Sequence, residues 1–139
     1  MLIGEYRHGI DPKGRIILPA KIREGMGETF IMAKGLDQCI AAYTLEEWQA
    51  IEEKVRGLPS AKSRTLRRFL FASATEVTID KQGRVLVPTS LREYADLSKN
   101  IVTIGNSTGI EIWDETRWES ICEEITQESV ADAMDELGF

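Results

Sequence analysis

The stretch Asp11-Pro-Lys-Gly-Arg-Ile-Ile-Leu-Pro-Ala-Lys-Ile-Arg23 returns as Asp80-Lys-Gln-Gly-Arg-Val-Leu-Val-Pro-Thr-Ser-Leu-Arg92, with Asp, Gly, Arg, Pro and the final Arg in register after a shift of 69 residues. Self-similarity at a fixed offset marks a duplicated structural unit. The likeness continues outward. Phe30-Ile31-Met32 answers Ile101-Val102-Thr103, and Tyr43, Trp48, Ile51 and Val55 answer Trp113, Trp118, Ile121 and Ile125 across small gaps. Two tandem modules are therefore expected, at 1–56 and 76–125, with a connecting basic helix within 57–75 and an acidic helical tail at 126–139.

Each module reads alike in local structure. A short strand leads to Asp11, and Asp-Pro-Lys-Gly has the Asp, Pro and Gly placement of a type I turn; Asp80 and Gly83 repeat it without the Pro. The runs Ile16-Ile17-Leu18 and Val85-Leu86-Val87 predict buried strands, which Pro19 and Pro88 end while opening a short helix. A strand pair brackets Gly35-Leu36-Asp37 in one half and Gly105-Asn106-Ser107 in the other. Thr44 with Glu47 predicts a capping box ahead of a helix whose inner stripe is Trp48, Ile51 and Val55; Asp114 opens its counterpart, with Trp118, Ile121 and Ile125. A further helix is expected over about 62–73, with Leu66, Phe69 and Leu70 inward and Arg64, Arg67 and Arg68 toward solvent. The tail carries Val130, Met134 and Leu137 at helical spacing. All these apolar stripes read as ordinary core faces.

A net charge of −6 conceals a strong polarity along the chain. Residues 1–23 hold Arg7, Lys13, Arg15, Lys21 and Arg23 against Glu5 and Asp11. Residues 56–92 hold eight cations against Glu76 and Asp80, whereas from 111 onward ten carboxylates face Arg117 alone. A basic front half is thus compatible with a polyanionic partner, despite the acidic total. Enzymatic chemistry is not expected. His8 is the one histidine and has no companion nucleophile, there is no phosphate-binding glycine pattern, and Cys39 and Cys122 lack metal-ligand spacing. No cofactor, metal or small-molecule substrate is implied. The absence of an apolar stretch of membrane-spanning length, and of a secretory leader pattern, predicts a cytoplasmic protein.

The chemistry lies in Asp-x-x-Gly-Arg, used twice. The Asp can accept from amides of its own turn, and the Arg four residues on re-enters the strand close enough to pair with it. An arginine held this way loses less rotamer entropy when its fork meets a phosphate or a guanine edge. A solitary pair of this kind would be no more than a hairpin-stabilising ion pair, worth about 0–1 kcal/mol at an exposed site. Duplication among Lys13, Lys21, Arg23, Lys81 and Arg92 points instead to a binding surface.

Residues 14–23, their copy at 83–92, the start Met-Leu-Ile-Gly-Glu-Tyr and the overall length resemble the MraZ family, whose halves are each similar to the AbrB/SpoVT swapped-hairpin DNA-binding domain. The resemblance covers nearly the whole chain. It implies a mainly β fold with short helices, a double-split β-barrel formed by the two pseudo-repeats. It also implies an octameric or dodecameric ring that binds double-stranded DNA at direct repeats upstream of its own division and cell-wall operon, as a transcriptional regulator at the nucleoid. The family's DNA-binding signature falls on Asp11 with Arg15 and on Asp80 with Arg84. Lys13, Lys81 and Arg7 join them as phosphate-binding candidates through charge and proximity. The alternative is an antitoxin-like interaction module that binds a partner protein through its acidic tail.

Overall fold

A computed structural model describes residues 1–138; Phe139, the last residue of the expected tail, lies outside the described residues. The repeat becomes a pairwise correspondence of strands and α-helices, while the short helical turns Leu36–Gln38 and Arg67–Phe71 occur in the first half alone among the described residues. Strands β1 (Glu5–Gly9), β2 (Arg15–Ile17), β3 (Thr29–Lys34) and β4 (Ile40–Thr44) are matched by β5 (Thr75–Thr78), β6 (Arg84–Leu86), β7 (Asn100–Gly105) and β8 (Gly109–Asp114). Helices α1 (Ala20–Met26), α2 (Leu45–Arg56) and α3 (Ser60–Leu66) are matched by α4 (Thr89–Tyr94), α5 (Glu115–Glu124) and α6 (Gln127–Glu136).

The two halves do not fold side by side. Six strands form one antiparallel sheet in the order β1-β7-β8-β4-β3-β5, and β2 pairs with β6 in a separate two-stranded ribbon. Each half gives its first strand to the other half's hairpin, β1 lying against β7 and β5 against β3, while β4 and β8 join the halves at the centre. This is the interleaved double-split β-barrel of two pseudo-repeats. Helical residues outnumber strand residues, yet no described helix runs beyond the 12 residues of α2, and most of the largest fully buried side chains come from strands.

Strand parity sorts the sheet into two faces. One carries Phe30, Met32, Ile40, Ile101, Ile110 and Ile112 into a core closed by Ile16 and Val85 from the ribbon and by Ile22 and Leu91 from α1 and α4. The other is covered by α2 and α5, with Trp48 between Tyr43 and Phe71, and Trp118 against Trp113. Helix α2 starts as expected at Thr44, whose hydroxyl accepts from the Glu47 amide at 3.1 Å, but among the described residues the return bond from the Thr44 amide to the Glu47 side chain is not formed, so the cap is one-sided rather than the expected box.

Four further expectations are corrected. Ile125, read as the last member of the inner stripe of the second long helix, is 57% exposed, because α5 ends at Glu124 and the backbone turns extended at Ile125. Ile17 and Leu86, read as buried, are 58% and 57% exposed: in a ribbon seated on one face only, neighbours alternate, and burial goes to Ile16, Leu18, Val85 and Val87. The helix expected over 62–73 begins at Ser60, after Pro59, and its last turn, Arg67–Phe71, is π-type. Leu66 is exposed, and Phe71, in the π turn and outside the expected stripe, meets Trp48. The tail forms the expected helix, capped reciprocally by Thr126 and Ser129, but its stripe of Val130, Met134 and Leu137 faces solvent rather than the core. No described helix is long and apolar enough to cross a membrane.

Candidate nucleic-acid interface

At the first turn, the Gly14 amide donates to the Asp11 carbonyl at 2.9 Å, closing the tight loop that the sequence predicted. Gly14 has φ +86° and Gly83 φ +78°, a region that a side chain strains, and this accounts for glycine at both positions. Asp11 Oδ1 accepts from the amides of Lys13 and Arg15, both at 2.9 Å, and Oδ2 accepts from Arg15 Nε at 2.8 Å. The second turn repeats this bond for bond. Asp80 Oδ1 accepts from the amides of Gln82 and Arg84 at 2.9 Å, and Oδ2 from Arg84 Nε at 2.9 Å.

Each carboxylate thus grips only the inner nitrogen of its guanidinium. Among the described residues, Nη1 and Nη2 of Arg15 and Arg84 have no hydrogen-bond partner, so the outer edge of each fork is left unengaged. The arginine side chains are 30% and 29% exposed, half-sunk and oriented rather than free. The backbone amide of Arg15 holds the Asp11 carboxyl below the usual carboxylate range, helped by the guanidinium; the Arg84 amide does the same for Asp80. A depressed carboxyl contributes its order above the ordinary range and loses it only as pH falls through the lowered value. Carboxyl-carbon NMR titration is therefore expected to give midpoints for both residues below those of ordinary exposed aspartates, leaving the anchors unchanged between about pH 5 and 8. Ordinary midpoints would mean that the turns are open in solution.

The ribbon brings both forks onto one surface. In its register Arg15 lies opposite Leu86 and Ile17 opposite Arg84, so these four side chains share the outer face, while Ile16 and Val85 point into the core. Arg15, Ile17 and Arg84 line one shallow concavity with His8. His8 Nε2 lies 2.8 Å from Thr103 Oγ1, and burial, which disfavours the charged ring, pushes its pKa down. Lys13 and Lys81 are exposed at the two turns.

Arg7 is not brought to this surface. It sits opposite Val102 on the sheet face that α5 covers, where it pairs with Glu5, Glu115 and Glu119 at 3.2, 3.6 and 3.1 Å. The hydrogen bond to Glu119 is the main reason its pKa is raised. The motif's final arginines serve the scaffold. Arg23 Nη1 donates to the Leu18 carbonyl at 2.9 Å and lies over Gly83, while Arg92 Nε donates to the Val87 carbonyl at 3.1 Å and lies over Gly14. Each half therefore steadies the other half's turn. Two further backbone bonds cross the same seam, from Leu18 to the Gly83 carbonyl and from Val87 to the Gly14 carbonyl.

Among the described residues no cluster of His, Cys, Asp or Glu could hold a metal ion. Cys39 is buried with its thiol pushed up to about 12, mainly by desolvation, so it is no nucleophile.

The family model described as MraZ protein, antitoxin-like, matches residues 1–69 and again 70–137. The chain is 52% identical to the transcriptional regulator MraZ of Acetivibrio thermocellus, 53% identical to that of Caldicellulosiruptor bescii and 50% identical to that of Clostridium tetani. In all three cases the whole of both chains is covered.

Proposed function

The chain belongs to the MraZ family, and from that premise we propose that it is a transcriptional regulator that reads DNA with the outer face of its β2–β6 ribbon. The observation that carries this reading is the pair of Asp-anchored arginines, Arg15 and Arg84, set in matching geometry on one surface with their outer nitrogens free. A two-stranded β-ribbon fits the major groove, and an arginine fork matches the O6 and N7 acceptors of guanine. Asp11 and Asp80 orient the forks. Lys13 and Lys81, at the turn tips, are suited to phosphates. Arg7 is left out of the contact set, because three carboxylates already engage it.

One bidentate arginine–guanine contact gives about 1–3 kcal/mol of discrimination, too little for a promoter address. Several ribbons in a ring of eight or twelve copies, as the family resemblance implies, would add avidity of roughly 10²–10⁴ where DNA repeats match their spacing. Direct repeats upstream of the chain's own operon would then mirror the rotation between neighbouring subunits. Fluorescence anisotropy with that upstream duplex is expected to show tight, strongly salt-dependent binding that weakens steeply when the spacing between repeats is scrambled. Binding indifferent to spacing would remove the ring from the reading, and no binding at low ionic strength would sink it.

An antitoxin-like role, with the tail engaging a partner protein, is the second reading. It is favoured by the exposed stripe of Val130, Met134 and Leu137 along the acidic helix α6. A stable protein partner co-purifying with the chain, and absent after truncation beyond residue 125, would support it.

A further inference from the structure

We propose that Ile17 and Leu86 contact thymine C5-methyl groups in the major groove, so that each end of the ribbon recognises a thymine beside the guanine read by its arginine. This rests on the DNA-binding reading above and adds to it the bases selected next to the forks. Ile17 is 58% and Leu86 57% exposed, a large aliphatic surface to leave in water at the centre of a charged face. Single exposed apolar residues are common and need no account. This pair differs because its members occupy equivalent positions of the two repeats, and each lies directly across the ribbon from the other half's anchored arginine, Ile17 from Arg84 and Leu86 from Arg15.

Directly opposed side chains on one ribbon face are about 4.5–5.5 Å apart at Cβ. Successive base pairs are about 3.4 Å apart. An arginine and its aliphatic neighbour can therefore meet adjacent base pairs without any movement of the ribbon. Thymine is the base that offers an apolar group in the major groove, and aliphatic contact with its methyl is a direct form of sequence readout. Packed against itself about a two-fold axis, this face would set Lys13, Arg15, Lys81 and Arg84 against their own counterparts, whereas a duplex supplies the opposite charge along its whole length.

The test compares the chain's upstream duplex prepared with thymine or with uracil, which lacks the methyl group, against wild type, Ile17→Ala, Leu86→Ala, the double variant and Ile17→Val. Wild type is expected to bind the uracil duplex about fourfold more weakly for each recognised methyl group that uracil lacks. Each alanine variant binds the thymine duplex more weakly and discriminates less between the two duplexes. The double variant treats both alike, and Ile17→Val retains the preference. Melting temperature and particle size remain those of wild type, since both side chains lie outside the core.

Equal binding of the two duplexes by wild type overturns the proposal while leaving DNA binding intact. An undiminished preference in the double variant, or a changed particle size, overturns it equally, the latter by placing the pair between copies. Failure to bind either duplex would remove the DNA reading itself, and this inference with it.

Discussion

Arg15→Ala is expected to abolish specific binding to the upstream duplex while the particle keeps its size and melting temperature. The side chain leaves no hole in the core. Its partner Asp11 is 32% exposed and retains two backbone amides, so its charge is not stranded. What disappears is one oriented fork in every copy, at about 1–3 kcal/mol per guanine pairing. With phosphate interactions alone remaining, affinity falls toward the non-specific range of roughly 10⁻⁴–10⁻⁶ M at physiological salt. Arg15→Lys sharpens the test. Lysine restores the charge without the planar fork, so binding at low salt recovers while discrimination between the natural and spacing-scrambled duplexes does not. Anisotropy titrations at two salt concentrations, with size-exclusion chromatography on the same samples, measure both quantities. Unchanged affinity in Arg15→Ala would take this residue out of the interface.

Ile16→Ala, one residue further along the strand, is expected to fail in the opposite way. Ile16 is 1% exposed, sits opposite Val85 in the ribbon and packs in the same cluster as Leu18, Ile22 and Val87. Truncation leaves a cavity beneath the ribbon and costs about 2–5 kcal/mol, a large part of the roughly 5–15 kcal/mol that separates folded from unfolded states. The denaturation midpoint falls, with an unchanged slope, at fixed protein concentration. DNA affinity declines too, because the ribbon loses its seat. Neighbouring Ile17→Ala, on the outer face, changes stability by no more than about 0.5 kcal/mol. Equal stability losses at positions 16 and 17 would contradict the alternation on which the binding face depends.

The same alternation explains where a reading of the residues succeeded and where it stopped. The Asp-x-x-Gly-Arg turns were legible because their bonds close within five residues, from Asp11 to Arg15 and from Asp80 to Arg84. The start of α2 was legible for the same reason, since Thr44 caps Glu47 three positions on. The run Ile16-Ile17-Leu18, by contrast, is uniformly apolar, and nothing local distinguishes its middle member. Arg7 could not be separated from the forks by charge alone. Only the pairing of β1 with β7 turns it toward the carboxylates of α5. Arg23 and Arg92, suspected of facing a ligand, lie over Gly83 and Gly14 of the opposite half, an approach between positions some sixty to eighty residues apart in the chain.

What the residues determined unaided is thus the duplication, the turns, the anchored arginines and the placement of charge, all of them consequences of short-range bonding and composition. The tertiary structure alone decided that the halves interleave, that β2 pairs with β6, and that both forks share one face with two exposed aliphatic side chains. Those outcomes depend on which distant strands exchange backbone hydrogen bonds. Strand pairing assigns every side chain to one face or the other, and a pairing between positions about 69 apart leaves no mark in the local pattern.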